Sequence, residues 1–429
     1  MLALTSITLS YAAPWTQNAE LRAASNFRRS NDSFVPPVYT LDLDAPAATR
    51  WAHIAKDYTQ YMPAVTEYFE SVVPAWAVPL IEAIAGSVTS YFTDYGDEME
   101  GLATALGVKK GEIVLLNLVM QIESLGLNCS NWNETAPTVP DDPGCMLIDP
   151  KQTWCYCHDA HRAGALRGDA RDEFVEVIRR PVEATDGPHP GLCTSVVAQN
   201  SSNVINHGRN LDWNLPVALR NLVVDLDVMR GGERVYRGTG AVGFVGLING
   251  MRMGTDGKSV WAVSVDARGK GGTLFDNLLQ ALLHHSMTPA QHLRKVLENE
   301  ATYDGAVASL QTTPQIDENY FIVSGAAAAQ GVVIARGRNK ADDVWPLNTT
   351  ETDGWFRLQT NYDHWNPPPV ADDRRTPGVA MMKALGAGGV NVSSTWDVIK
   401  AFPVFNPHTD YSVVMVPATG YYSGMVWMG

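Results

Sequence analysis

The hydrophobic pattern changes twice along the 429-residue chain, and these changes constrain its fold more than any other feature of the sequence. From residue 46 to 124, apolar residues recur at spacings of three and four, which predicts helices at 49–61, 64–73, 78–95, 98–106 and 111–124. After residue 193, strand-like runs dominate and a few helical runs lie between them. Strands followed by helices and then by further strands predict an α+β layered sandwich.

The composition narrows the class of protein. Apolar residues make up 45% of the chain, which is enough for a large core and excludes a disordered protein. The formal net charge is −14, and binding to nucleic acid needs a basic face, so we expect no nucleic-acid partner. The sequence has no uninterrupted run of about 18 apolar residues, so we expect no membrane-spanning helix.

The pattern divides the chain into four segments. Residues 1–13 are fairly apolar and end in small residues, and we interpret them as the remnant of a signal peptide. Residues 14–125 form a helical N-terminal segment that includes a strand at 39–43. Residues 126–192 are rich in Pro, Asp and Gly, which indicates an insertion and processing linker. Residues 193–429 form the strand-rich segment.

The five cysteines divide into a cluster of four and one that stands alone. The cluster favours two disulfides in a surface insertion, and a zinc site is the alternative, although no CxxC pair occurs; its members are Cys129, Cys145, Cys155 and Cys157. Six N-x-S/T sequons favour glycosylation on an oxidising, secretory route, at Asn31, Asn128, Asn133, Asn200, Asn348 and Asn391.

The fifth cysteine, Cys193, lies where the linker meets the strand-rich segment. One interpretation is a buried cysteine that starts a strand. The other involves Arg209 and Asp212, which a hairpin turning near 200–203 would bring back beside Cys193. If the chain were cut before Cys193, the new α-amine would be the base nearest to its own thiol. The guanidinium would then favour the thiolate, and the carboxylate would hold the ammonium.

Cys-Thr-Ser-Val-Val, followed by His-Gly-Arg-Asn-Leu-Asp, resembles the acid ceramidase and N-acylethanolamine-hydrolysing acid amidase family of N-terminal nucleophile hydrolases, which are related to choloylglycine hydrolase. Further blocks are similar in the same order, at 246–251 (GLINGM), 342–347 (DDVWPL), 360–365 (TNYDHW) and 372–376 (DDRRT). The resemblance extends over nearly the whole chain apart from residues 126–190. His364 and the block at 342–347 favour the acylethanolamine branch over the ceramide branch.

The resemblance implies a four-layer αββα sandwich with a helical N-terminal subunit. It implies self-cleavage between Leu192 and Cys193 into an α/β heterodimer, and hydrolysis of a lipid amide without a cofactor, in the lysosome or outside the cell. The matching site residues are the nucleophile Cys193, the guanidinium of Arg209, the carboxylate of Asp212, the oxyanion donor Asn361 and a second site arginine, Arg374.

One position departs from the family pattern. Where the family tends to have glutamate before an arginine, the chain has Ala267, between Asp266 and Arg268. Asp266 is the candidate substitute, although neighbouring residues of a strand face opposite sides. The departure concerns the rate of maturation more than the chemical class.

Two other functions stay open. One is an amide hydrolase of the same superfamily that acts on penicillin V or bile-acid amides. The other is a lipid-binding homologue that no longer matures, which Ala267 favours. The apolar residues at 68–88 form either a core-facing helix pair or a surface that contacts membranes or micelles. The histidines lack metal-ligand spacing with carboxylates, so we expect no metal.

Overall fold

The computed structural model of the chain describes residues 33–72, 95–123, 146–149, 152–154, 192–213, 215–268, 286–369 and 372–428. Its strands are β1 (Ser33–Phe34), β2 (Val38–Asp42), β3 (Met146–Asp149), β4 (Gln152–Trp154), β5 (Leu192–Gln199), β6 (Ile205–Asp212), β7 (Val223–Arg230), β8 (Glu233–Ala241), β9 (Asn249–Met253), β10 (Ser259–Ala267), β11 (Asn319–Gly325), β12 (Gly331–Arg336), β13 (Ala341–Pro346), β14 (Phe356–Gln359), β15 (Thr409–Val416) and β16 (Tyr421–Trp427). Its helices are α1 (Ala52–Ala55), α2 (Met62–Val72), α3 (Gly96–Leu106), α4 (Lys110–Glu123), α5 (Val217–Arg220), α6 (Pro289–Asn299), α7 (Tyr303–Thr312), α8 (Arg375–Gly389) and α9 (Val392–Ile399).

Two sheets form the centre of the molecule. The six-stranded sheet has the order β1-β16-β15-β6-β5-β14, and the eight-stranded sheet has the order β13-β12-β11-β10-β9-β8-β7-β2. Neighbouring strands are antiparallel in both sheets except β2 and β7, which are parallel. The sheets pack face to face, with β5 and β6 of the first against β10 and β11 of the second.

Helices cover the outer face of each sheet. Helices α8 and α9 pack on the six-stranded sheet, and α6 and α7 pack on the eight-stranded sheet. Helix α6 shows why such a helix forms: a capping box at Thr288 and Gln291 starts it, and its apolar side buries Leu293, Val296 and Leu297. The predicted four-layer αββα sandwich is confirmed.

Helix α9 lies very close to β6, at a point next to Arg209. A Cβ atom at Gly208 would lie 2.9 Å from Cγ2 of Ile399 and 2.9 Å from Cγ2 of Thr395. A residue without a side chain is therefore needed where helix and strand approach, which explains the glycine of the His-Gly-Arg motif.

The N-terminal segment is part of both sheets as well as of the helical layers. β1 pairs with β16 at one edge of the six-stranded sheet, and β2 pairs with β7 at one edge of the eight-stranded sheet. The N-terminal helices add Ile54, Leu102 and Ile113 to the core cluster that also holds Leu222 and Leu293. The segment was predicted to be mainly helical. In addition to its helices, it has two edge strands that join it to the strand-rich segment.

Some predicted elements were wrong. The helix expected at 49–61 is broken into the short α1 and a 3-10 turn at Thr59–Tyr61, because Asp57, Tyr58 and Thr59 are weak helix formers. The segment expected to be irregular contains the β3–β4 hairpin. Residues 1–13 and 78–94 lie outside the described residues. Among the described helices, none combines the length and apolar character that crossing a bilayer requires.

Candidate active site

The β5–β6 hairpin, which the spacing of the motif predicted, positions the central residues of the site. In its register Cys193 pairs with Leu211, and Ser195 pairs with Arg209. Residues that pair directly share a face of the sheet, so the side chains of Cys193 and Arg209 both point between the two sheets. Asp212 follows Leu211 and therefore points to the opposite face, toward the helices.

The sulfur of Cys193 lies against a buried guanidinium. Nη2 of Arg209 is 3.3 Å from Sγ of Cys193 and also donates to the carbonyl oxygen of Val265 at 3.1 Å. Nη1 of Arg209 donates to the hydroxyl of Tyr411 at 3.3 Å. Burial raises the pKa of Cys193 to about 12, and Arg209 offsets only part of this effect. In the uncut chain the side chain is therefore a neutral thiol.

The backbone of Cys193 is held by a second group of side chains. Its N–H donates to Oδ1 of Asn361 at 2.7 Å, and its carbonyl accepts from Nη1 of Arg374 at 2.6 Å. Arg374 also donates to Asn361 at 2.7 Å and lies 3.3 Å from Oδ2 of Asp212. Thr409 donates to the other oxygen of Asp212 at 2.6 Å. The uncut N–H is thus bound by Asn361 rather than by Asp212, and Arg374 is buried within the site.

Asp212 is fully buried, and burial raises its pKa above the ordinary value for aspartate. The charge of Arg374 and the hydrogen bond from Thr409 lower it in part. The carboxylate therefore depends on these two partners for its negative charge, and a neighbouring ammonium would favour it further.

Asp266 and Ala267 face opposite sides of β10, as expected of neighbours on a strand. The consequence is that Asp266 lies inside the site, where Oδ1 accepts from the Ser195 hydroxyl at 2.9 Å and is 3.7 Å from Nε of Arg209. Burial raises the pKa of Asp266 to about 7, although Arg209 lowers it. Ala267 contributes its backbone, which lowers the pKa of Cys193 in part and whose carbonyl accepts from Nδ2 of Asn361 at 2.9 Å.

Sequence reasoning missed Thr409 and Tyr411, which contact Asp212 and Arg209. The apolar run at 412–417 predicts a strand, but β15 begins earlier, at Thr409. Thr409 and Tyr411 alternate with the more polar Asp410 in a way that could have extended the predicted strand, but nothing in the sequence indicated their partners.

An apolar cavity that is partly open to solvent adjoins the site. Leu211, which pairs with Cys193, and Tyr411, which contacts Arg209, both line it. Both sides of residue 192 contribute to its wall, whose side chains are Tyr68, Leu116, Leu211, Trp213, Leu215, Leu219, Leu222, Val223, Ala241, Phe244, Ile248 and Tyr411, with Gly240. A wall made almost entirely of apolar side chains is typical of sites that bind small apolar molecules.

Three of the predicted glycosylation sites fall on described residues. Asn391 is exposed, and Asn200 and Asn348 are partly exposed. The other three sequons and the cysteine cluster lie outside the described residues, at Asn31, Asn128, Asn133, Cys129, Cys145, Cys155 and Cys157. Across the described ranges, no group of three or more His, Cys, Asp or Glu side chains has an arrangement that could hold a metal ion.

Comparison with known proteins identifies the family of the chain. A family model described as the beta subunit of N-acylethanolamine-hydrolyzing acid amidase matches residues 34–92. The chain is 30% identical to N-acylethanolamine-hydrolyzing acid amidase of Caenorhabditis elegans, over 92% of this chain and 94% of the relative. It is 23% identical to human acid ceramidase, over 96% of this chain and 91% of the relative.

A solved structure of a Caenorhabditis elegans N-acylethanolamine-hydrolyzing acid amidase ortholog matches with 35% sequence identity and a TM-score of 0.48, over 55% of this chain and all of that chain. The similarity to the Caenorhabditis elegans amidase covers almost the full length of both proteins at 30% identity. The chain therefore belongs to the N-acylethanolamine-hydrolyzing acid amidase family of amide-hydrolysing enzymes.

Proposed function

We propose that the chain is a cysteine amidase that hydrolyses fatty-acid amides, with N-acylethanolamines as the favoured substrates, and that cleavage between Leu192 and Cys193 activates it. The observation that carries the proposal is the position of Cys193, whose sulfur lies 3.3 Å from Arg209 and whose strand partner Leu211 lines an apolar cavity. A cation activates a thiol, and an apolar cavity suits an acyl chain. The names of the relatives, which include an N-acylethanolamine-hydrolyzing amidase and an acid ceramidase, agree with a lipid amide.

Maturation would begin with the thiol of Cys193. Its sulfur attacks the carbonyl carbon of Leu192, the bond from that carbon to the Cys193 nitrogen breaks, and the thiol proton ends on that nitrogen. The product is a thioester, which water hydrolyses to a Leu192 carboxylate and a free thiol beside a free α-amine. Asp266 is the proposed proton carrier, because it shares the Arg209 guanidinium with the sulfur, and with a pKa of about 7 its carboxyl is protonated at acidic pH and can give a proton to the leaving nitrogen as it takes one from the thiol.

In the matured enzyme the α-amine would replace the uncut N–H. A free α-amine has a pKa of about 7.7–8.0, below that of a buried thiol, so the proton moves to the amine only because Arg209 stabilises the thiolate and a carboxylate stabilises the ammonium. Asp212, at the end of β6, is the counter-ion proposed for the ammonium. Its contacts with Arg374 and Thr409 hold the carboxylate beside the backbone of Cys193.

Turnover would then proceed in two steps. The thiolate attacks the amide carbonyl carbon, and the negative charge that forms on the oxygen is stabilised by Nδ2 of Asn361, an amide with two N–H donors. The ammonium of Cys193 donates its proton to the leaving amine as the C–N bond breaks. Water, deprotonated by the resulting α-amine, attacks the thioester and releases the fatty acid.

The two products of cleavage would stay together as an α/β heterodimer. The N-terminal product retains β1 and β2, each paired with a strand of the other product. Its Glu98 accepts from Arg294 at 2.7 and 2.8 Å, and Asn117 accepts from the backbone N–H of Val245 at 2.8 Å. These contacts bury polar groups on both sides, so separation would expose them and much of the shared core.

The accessible sequon at Asn391 supports passage through a secretory route, with the lysosome or the extracellular space as the destination. Treatment of secreted or lysosomal protein with an N-glycosidase should reduce its mass. A protein of unchanged mass from such a source would contradict this route.

The activity test compares the unchanged protein with Cys193→Ala and Cys193→Ser on a panel of N-acylethanolamines, ceramides, penicillin V and bile-acid conjugates. We expect the unchanged protein to favour N-acylethanolamines and both variants to lose turnover, with slow self-cleavage retained only by Cys193→Ser. Turnover by Cys193→Ala would exclude the nucleophile. Preference for penicillin V or bile-acid conjugates would replace the substrate class, and an uncut chain carrying bound fatty acid would favour a lipid-binding protein.

A further inference from the structure

A row of polar residues crosses the inner face of the eight-stranded sheet and extends away from the nucleophile. Asp225 on β7 pairs directly with Thr239 on β8, and Thr239 pairs with Asn249 on β9. All three are buried, at 4%, 0% and 0% exposure. Because directly paired residues share a face, the row faces the six-stranded sheet.

Two tyrosines of the six-stranded sheet form hydrogen bonds with this row. Tyr411 donates to Oδ1 of Asn249 at 2.7 Å, and Nδ2 of Asn249 donates to the hydroxyl of Tyr422 at 2.7 Å. The hydroxyls of Tyr422 and Thr239 are 2.8 Å apart, and Thr239 donates to Oδ1 of Asp225 at 2.7 Å. Together with the 3.3 Å bond from Arg209 to Tyr411, five hydrogen bonds join the guanidinium to Asp225.

These five hydrogen bonds form a chain in which every donor points the same way. A hydroxyl has one hydrogen, and Thr239 uses it on Asp225, so Tyr422 must donate to Thr239. Burial raises the pKa of Tyr422 well above that of free tyrosine, so the phenol keeps its proton. Each group therefore donates to the next from Arg209 to Asp225, an arrangement in which hydrogen bonds strengthen one another by about 10–30% each.

We propose that this chain of hydrogen bonds positions the nucleophile. In it, Asp225, Thr239, Tyr422 and Asn249 fix the hydroxyl of Tyr411 and thereby hold Arg209 against the sulfur of Cys193. The hydrogen bonds described for Cys193 involve none of these four residues. The inference rests on the proposed function, because it assigns the chain a purpose only if Cys193 is the nucleophile. The chain needs Asp225 only as an acceptor, which a carboxylate and the carbonyl oxygen of a carboxylic acid both supply, so its pKa of about 6 does not reverse the direction.

The test uses Tyr422→Phe, which removes one hydroxyl in the middle of the chain. The matched control is Tyr421→Phe, the preceding residue of β16, whose hydroxyl contacts Trp396 on the helix side of the sheet. We expect Tyr422→Phe to lower kcat by about tenfold, equivalent to ~1.4 kcal/mol, with KM changed less than about twofold. The lower limb of its kcat/KM pH profile should also move to higher pH, because a loosened Arg209 stabilises the thiolate less.

A second pair keeps the test decisive if Tyr422→Phe folds poorly. Thr239→Val removes the hydroxyl without changing the size of the side chain, and Thr239→Ser retains it, so serine should preserve kcat and the pH profile where valine does not. Equal kinetics for Tyr422→Phe and Tyr421→Phe, or for the two Thr239 variants, would overturn the inference. Activity in Cys193→Ala would instead overturn the proposed function, so the two failures are distinguishable.

Discussion

Glu98 links the N-terminal segment to the strand-rich segment, and its replacement tests how strongly they are joined. Its carboxylate, fully buried on α3, accepts four hydrogen bonds: from Arg50 at 2.6 Å, from Trp51 at 2.7 Å and from Arg294 at 2.7 and 2.8 Å. Glu98→Gln removes the charge and turns an N–H₂ group toward a guanidinium. Loss of one partner of a buried ion pair costs about 3–5 kcal/mol. Because Arg294 keeps its contact with Glu298 at 2.8 Å, we expect the lower end, about 3 kcal/mol.

The assay measures the free energy of unfolding of the purified protein in urea. For the cleaved form, size-exclusion chromatography then detects whether the two products have separated. The control is Glu100→Gln on the same helix, whose side chain is 60% exposed and pairs with Lys110 at 3.2 Å; it should change the free energy of unfolding by less than about 1 kcal/mol. Equal effects of the two substitutions would refute the reasoning, because they would show that the buried cluster contributes no more than a surface pair.

The contacts of Glu98 also predict how the stability of the protein depends on pH. Burial alone would raise the pKa of Glu98, but Arg294, with Trp51 and Arg50, lowers it below the ordinary value for glutamate. The stabilisation is therefore present above a pH of about 4.3 and is lost only as the pH falls through the lower value of the folded protein. We expect unfolding curves of the unchanged protein and of Glu98→Gln to converge at strongly acidic pH and to differ most at neutral pH.

Three further substitutions probe the site. Arg209→Met should lower kcat/KM by about 10²-fold or more, the order found when a donor that stabilises reaction charge is removed, as steady-state kinetics would show. Asp266→Asn should slow self-cleavage in a time course of intact mass. The raised pKa of about 7 means that the protonated Asp266 stabilises the unchanged protein at low pH and that this stabilisation is lost as the pH rises through 7. Between pH 5 and 8 the melting temperature of the variant should therefore fall less than that of the unchanged protein. Gly208→Ala should lower the melting temperature by an amount equivalent to about 1–3 kcal/mol, because its Cβ would meet Ile399 and Thr395 at 2.9 Å.

The sequence predicted those parts of the fold that depend on local pattern and short spacing. His207 comes fourteen positions after Cys193, a spacing that suits two strands and a turn, and this was enough to place Arg209 beside the thiol. The order of strands and helices after residue 193 likewise predicted the layered sandwich, because alternation and helical spacing are recorded in consecutive residues.

What the sequence did not predict depends on partners far apart in the chain. Tyr411 reaches Arg209 only because β15 pairs with β6, and a pattern of consecutive residues contains no record of which strands pair. The sequence offers Asp266 as the candidate substitute for the family's glutamate, although it lies one position away and neighbours on a strand face opposite sides. In the structure, Asp266 lies on the side of β10 that faces the site, and its carboxylate is 3.7 Å from Arg209.

The account depends most directly on whether Cys193 becomes the first residue of a chain. Protein incubated at acidic pH and analysed by intact mass and N-terminal sequencing should change from a 46.7 kDa chain into two products, one of which begins at Cys193, and amidase activity should rise in step with that product. An intact 46.7 kDa chain that hydrolyses lipid amides at full rate would contradict the account.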